Sequence, residues 1–249
     1  MPYDQSHVNC TSRIGFVAAA LLVLSLPSAF SAQEPIGHIV AIEGQATALG
    51  TDSPSRALEL KNPVFLKDKI NTGAGAKLQI MFNDDSMISQ GENSELLIDE
   101  YVYNPGTKED NGCALRVFKG LVRVVTGQIT KLNPERFQVR TRMATIGIRG
   151  CNLGFSVTEQ AENIYVISFG AAGETIVVYA KPDVGQEEWN LLIRGDAQTV
   201  QEAQTRLRNV TEPNRVVSIA QQGPISETPI TPEQMTALID GVTLQSPTQ

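Results

Sequence analysis

Histidine and cysteine are nearly missing from this chain: two of the first and three of the second among 249 residues. So few nitrogen and sulfur ligands leave little from which to build a zinc centre. A histidine-activated nucleophile is equally hard to assemble, because only His38 lies beyond the leader described below. A Cys151–His38 dyad can be written, but a hydrogen-bonded histidine at a strand edge accounts for His38 more simply. No serine stands in a Gly-x-Ser-x-Gly elbow. Basic runs are missing too: 20 Lys and Arg face 27 Asp and Glu, a formal net charge of −7. That balance argues against nucleic acid as a partner. Aromatics make up 6% of the chain, with a single tryptophan, Trp189. The expectation is therefore no catalytic residue, no cofactor and no metal.

One apolar run stands out near the N-terminus. Arg13 precedes Ile14–Leu26, Pro27 breaks it, and Ala29-Phe30-Ser31-Ala32 offers small residues for cleavage. Residues 1–32 read as a secretory signal peptide, cut after Ser31 in preference to Ala32. The rival reading, an uncleaved anchor, has a short run and little positive flank to support it. Cys10 precedes the apolar run, so it is misplaced for lipidation. The expected location is the periplasm or the cell surface, with no membrane-spanning helix in the mature chain. About 217 residues then remain, enough for one sizeable core or a core plus a small appendage.

Cys113 and Cys151 survive processing, and an exported chain gives them reason to pair. A disulfide closing that loop would stabilise the fold by about 4 kcal/mol on the chain-entropy model. The competing reading is two separate thiols.

Between Pro35 and Ala180 the pattern is short apolar-alternating segments separated by turn residues. They include Lys77–Phe82, Leu96–Ile98, Leu115–Phe118, Leu121–Val125, Phe137–Thr141, Tyr165–Phe169 and Thr175–Tyr179. Strands at this spacing without amphipathic helices predict an all-β body at 33–180, built as a short β-solenoid, a barrel or a sandwich. Asn83-Asp84-Asp85-Ser86 reads as a solvated turn.

Past Ala180 a small helical appendage is expected. Asp196–Arg208 reads as a helix capped by Asp196, with Val200, Ala203 and Leu207 as a narrow apolar stripe. Arg215–Ile219 returns to strand, so 181–222 should pack on the β body. The Pro-rich tail at 223–249 should carry a short helix opening at Thr231-Pro232 and running to about Ile239. Its sequence gives little reason for it to dock.

The most informative stretch is Phe137–Phe155, FQVRTRMATIGIRGCNLGF. It resembles the V-x-T-P-x-A-T-x-G-[IV]-R-G-T-x-F signature of the FecR domain family. Gly147, Arg149 and Gly150 keep the pattern; Arg142 stands in place of the Pro and Cys151 in place of the Thr. Further likenesses run from Gly37 to Ala180. Leu66–Gly73 resembles G-D-x-L-x-T-G, with Lys67 at the glycine. Lys77–Ser86 resembles a-x-L-x-F-x-D-G-S, with Asp85 at the glycine. Leu115–Gly127 resembles K-G-x-x-R-v-v-s-G.

The resemblance implies an architectural motif set rather than a reaction centre. The family's namesake relays receptor occupancy at the outer membrane to a sigma factor, through a cytosolic segment ahead of a membrane helix. With thirteen residues before its apolar run, this chain resembles the stand-alone exported members. The implied role is a non-enzymatic interaction, scaffold or sensor module whose partner is another envelope protein or a cell-wall glycan. A trans-acting signalling regulator is a further alternative. For glycan, Trp189, Tyr101, Tyr103 and Tyr179 are the stacking candidates. Arg149, alone among apolar neighbours, needs an ion pair or a carbonyl clamp; its functional alternative is an anion or glycan contact. Gly147, Gly150 and Gly154 admit a phosphate-loop reading, but the following apolar run favours close strand approach instead. The acidic set Asp84, Asp85, Glu92, Asp99 and Glu100 matches no calcium-loop spacing.

Overall fold

Alternation of apolar and polar residues decides which face of each strand turns inward. In Lys77–Phe82, Leu78, Ile80 and Phe82 are buried while Lys77, Gln79 and Met81 stay half-exposed. The computed structural model describes residues 33–51, 54–171, 174–221 and 224–244; the leader expected at 1–32 lies outside the described residues. The described strands are β1 (Gly37–Glu43), β2 (Ala46–Leu49), β3 (Arg56–Ala57), β4 (Pro63–Val64), β5 (Lys69–Thr72), β6 (Lys77–Phe82), β7 (Met87–Gln90), β8 (Glu95–Val102) and β9 (Gly112–Val125). They continue with β10 (Phe137–Arg140), β11 (Thr145–Gly147), β12 (Cys151–Val157), β13 (Ala161–Phe169), β14 (Ile176–Tyr179), β15 (Leu207–Val210), β16 (Arg215–Ala220) and β17 (Ser226–Pro229). The helices are α1 (Ile129–Leu132), α2 (Gln186–Arg194), α3 (Ala197–Ala203) and α4 (Pro232–Val242).

The chain is all-β with a small helical appendage. Its strands form two sheets joined by β9. One sheet runs β4-β1-β6-β7-β9-β12-β13-β16-β17. The other runs β3-β2-β5-β8-β9-β10-β11-β14-β15. Every pairing is antiparallel except β9 with β10. The expected strands at Leu115–Phe118 and Leu121–Val125 are one strand. Gly120, with φ +92°, turns it from the second sheet into the first. A side chain there would overlap Ser94, so glycine is required on two counts.

Inward residues of both sheets meet in a single core, with Ile80, Val124, Phe155 and Val166 from one and Ile98, Val117, Ile146 and Val178 from the other. Of the three geometries open to the sequence, two sheets facing across a common core is the one adopted. Each fully buried side chain of this kind contributes about 1.5–3 kcal/mol.

Two sequence expectations are corrected past Ala180, and one helix is added. Asp196 does cap a helix, accepting from Thr199 N at 2.9 Å, but α3 ends at Ala203. Leu207 instead opens β15, because pairing with Tyr179 and Val178 offers the backbone a ladder that outweighs local helix preference. The polar stretch after Asp183 leads into helix α2, which ends on Gly195 in the left-handed region. Finally, α4 docks. A capping box between Thr231 and Gln234 starts it, Leu238 and Val242 are buried, and Lys77 Nζ donates to Asp240 O and Thr243 O at 2.8 Å. The Pro-rich stretch ahead of it carries β17, which pairs along β16 as a strap.

Candidate functional site

The residues of Thr141–Cys151 fold as a hairpin and a turn, and most of those singled out in the sequence have a task in packing. Thr141 and Ala144 close the tight turn between β10 and β11, with Thr141 N donating to Ala144 O at 2.8 Å. Glu162, fully buried on β13, staples that turn by accepting from Met143 N at 3.1 Å and from Thr141 Oγ1. Burial pushes the Glu162 carboxyl up from its ordinary value, against the pull of these hydrogen bonds.

Gly147 lies under Trp189 of α2: a Cβ at that position would come within 3.0 Å of the indole ring. Gly154 does the same for Leu238 of α4. Two glycines of one stretch thus seat the two appended helices on opposite sheets. Close approach, not phosphate binding, explains them.

Arg149 is half-buried and donates through Nη2 to Ile193 O at 3.2 Å, one of the last carbonyls of α2. A cation at a helix C-terminus is favourable for the same reason that the carbonyls there lack partners. The carbonyl clamp is thus the arrangement present, and no ion pair forms at Arg149 among the described residues. Gly150 has φ +113° and lies against the Glu174 carboxylate, which accepts from Gly170 N at 2.9 Å. Arg149, Gly150 and Cys151 border a cleft of about 400 Å³ together with Lys131 and Glu174. Gly147 faces elsewhere, toward α2.

The disulfide is not formed: Cys113 and Cys151 are both free and buried. Each is held in its own ladder, Cys113 opposite Tyr101 and Phe137, Cys151 opposite Phe169. Burial pushes both thiols well above the usual cysteine range. Asp84 and Glu100 add to the effect at Cys113, and Glu174 adds at Cys151. Both therefore stay protonated, the unreactive form.

Asp84 corrects the solvated-turn reading. It is fully buried and forms a hub. Its N–H donates to Tyr101 Oη at 2.9 Å, and Tyr101 Oη returns a bond to Oδ1 at 3.2 Å. Ser86 Oγ donates to Oδ2 at 2.7 Å and Ile129 N to the same oxygen at 3.3 Å. Gly127 fits over this turn, where any side chain would overlap the Asp84–Ser86 backbone. Burial first, then the neighbouring Asp84 charge, raises the Tyr101 phenol far above its ordinary value. Lys67 and Asp85, which stand where the resemblance has glycine, both adopt the left-handed region at φ +67° and +64°. The turns are therefore built as the motif builds them, with the cost carried by non-glycine residues.

The other acidic residues are dispersed. Glu92 accepts from Gly75 N, Asp99 pairs with Lys67, and Glu100 pairs with Arg136. No group of three potential metal ligands exists among the described residues. Three of the four stacking candidates are buried: Trp189 is 1% exposed, Tyr101 7% and Tyr179 7%. That removes the aromatic platform on which glycan binding was argued. Sequence reasoning missed Glu162, Glu174 and the Trp189 seat. Met143 lies 19 positions from Glu162, Gly150 lies 24 from Glu174 and Gly147 lies 42 from Trp189, and no local pattern marks these pairs.

The family model described as FecR protein matches residues 68–172. Over that stretch, under half of the chain, the sequence is similar to a FecR domain. Two crystal structures of a proposed anti-sigma factor from Parabacteroides distasonis, at 2.50 and 1.65 Å, are similar at 14% identity and TM-score 0.47. The match covers 70% of this chain and 64–65% of those chains, so this chain spans less than two thirds of their length. A solved cell surface anchoring domain is similar over 25% of this chain and 82% of its own, at 27% identity and TM-score 0.24. No curated protein matches the chain. No helix among the described residues is long and apolar enough to cross a membrane.

Proposed function

We propose that this protein is an exported FecR-domain module of the bacterial cell envelope that works by interaction, as a scaffold or sensor, and not by catalysis. One observation carries the reading: the signature residues are spent on holding the fold. Gly147 seats Trp189, Arg149 clamps a helix end, Gly150 admits Glu174, and Cys151 is a buried, protonated thiol. A stretch so committed to packing presents surfaces and offers no activated nucleophile. The FecR domain supports a regulatory role, and the leader-like N-terminus supports the periplasm or cell surface as its place.

The partner is an envelope protein. A membrane-anchored regulator acting in trans with this chain is the signalling form of the same reading. Crosslinking the chain in its native envelope, followed by mass spectrometry of the captured material, tests it. Specific capture of a receptor or membrane regulator is the expected result. Recovery of the chain with cell-wall glycan alone, or measurable turnover of an envelope substrate, would overturn it.

A further inference from the structure

Eleven arginines fall in residues 33–249, and eight donate to an acceptor in the structure. The three whose side chains make no hydrogen bond or ion pair among the described residues are Arg142, Arg194 and Arg206. Two of these, Arg142 and Arg206, line one cleft of about 500 Å³. Neighbouring acids are already committed. Glu162 accepts from Thr141 and Met143, with the Arg142 charge near enough to favour its ionised form but no direct ion pair between them, and Glu188 is paired with Lys181 at 2.6 Å.

Both arginines project from fixed backbone. Arg142 sits in the turn stapled by Glu162, at the position where the family signature has proline. Arg206 sits in the turn closing α3 onto β15, with its carbonyl accepting from Ala180 N at 2.8 Å. Between them Met143, Ile219 and Ile225 add apolar side chains to a lining that is otherwise more polar than apolar. Guanidinium groups bind carboxylates through paired N–H donors. Two of them on one cleft, with a few apolar side chains between, suit an acidic residue flanked by aliphatic ones better than a bare ion.

We infer that the cleft between Arg142 and Arg206 seats an acidic, aliphatic-flanked segment of a partner protein, the two guanidinium groups holding its carboxylates. This rests on the interaction reading above and names the surface that carries it.

The test uses the full chain and a fluorescein-labelled, C-terminally amidated peptide VELEV, with VQLQV as its uncharged counterpart, read by fluorescence anisotropy at low salt. VELEV should bind and VQLQV should not. Arg142→Gln with Arg206→Gln should weaken VELEV by about tenfold or more, the loss of two charge-assisted contacts. Arg194→Gln, the third unpartnered arginine but outside the cleft, should bind as the wild type does. Each single cleft variant is read alongside, so that lowered melting of the double variant leaves the comparison intact. Equal binding of VQLQV, or equal weakening by Arg194→Gln, overturns the inference. So does Arg142- and Arg206-dependent sedimentation with phosphatidylglycerol vesicles without VELEV binding, which would make the cleft a lipid site. Envelope crosslinking separates the two claims. If wild type and double variant capture the same partner, the cleft assignment fails and the interaction reading stands. If VELEV binds through the two arginines but nothing is captured, the interaction reading fails and the partner-segment assignment falls with it.

Discussion

Gly147 of β11 and Trp189 of α2 fit together as seat and anchor: the indole ring occupies the space a Cβ at residue 147 would need. Forty-two positions apart in sequence, they fasten the helical appendage to the sheet carrying the Arg149 turn. Trp189 is the only tryptophan, so its fluorescence reports this contact alone. Gly147→Ala should destabilise the fold by about 1–3 kcal/mol, the usual cost of overpacking. The emission should shift to the red as the ring leaves its seat. An unshifted spectrum with unchanged melting would show that the ring is not held there.

Asp84 is expected to matter more than its place in an acidic turn suggests. Asp84→Ala leaves Tyr101 Oη, Ser86 Oγ and Ile129 N without their buried acceptor. Urea unfolding should show a loss of about 2–4 kcal/mol. Asp85→Ala, at the exposed neighbour, should cost far less, about 1 kcal/mol for placing alanine in the left-handed region.

Glu162 predicts a pH dependence with a definite sign. Burial holds its folded-state carboxyl above the ordinary value of 4.5, so the folded chain binds the proton more tightly than the unfolded one. From the unfolded value up to the folded value, stability falls as pH rises, and the penalty is complete above the folded value. Glu162→Gln keeps an acceptor for Met143 N and removes the titration. Melting temperatures measured across that acid window should slope downward for the wild type and flatten for the variant. Parallel profiles would remove Glu162 as the cause.

The two buried thiols should resist alkylation in the native state. Iodoacetamide at neutral pH should leave Cys113 and Cys151 unmodified until denaturant is added, when both should react. Intact mass without reductant checks pairing: a mass two hydrogens lower would reinstate the disulfide.

Leu238 tests the docking of α4. Its side chain is 2% exposed in the seat left by Gly154. Leu238→Ala should cost about 2–5 kcal/mol if the helix is part of the cooperative fold. If the helix is loosely attached, global unfolding will be unchanged while hydrogen exchange in residues 232–242 accelerates.

Local signals made the strands legible. Alternation in Lys77–Phe82 and the apolar runs at β12 and β13 need no distant partner to be read. The caps at Asp196 and Thr231 were legible for the same reason, since a cap is a contact over three residues. Helix α3 was overextended because Leu207 and Val210 pair with β14, a contact invisible in the local pattern. Asp84 was misread because its burial depends on Tyr101 of β8 and on Gly127 in the loop after β9.

By itself, the sequence determined the β character of the chain, the turns, the helix starts and the likeness to the FecR signature. Those depend on backbone preference and on which side chains avoid water. Only the tertiary structure decided that β9 joins two sheets, that the cysteines lie apart as free thiols, and that Gly147 and Gly154 are seats for helices. It also decided that Arg142 and Arg206 share a cleft. Each of these is a relation between distant segments, set by packing and ladder pairing rather than by neighbours in the chain.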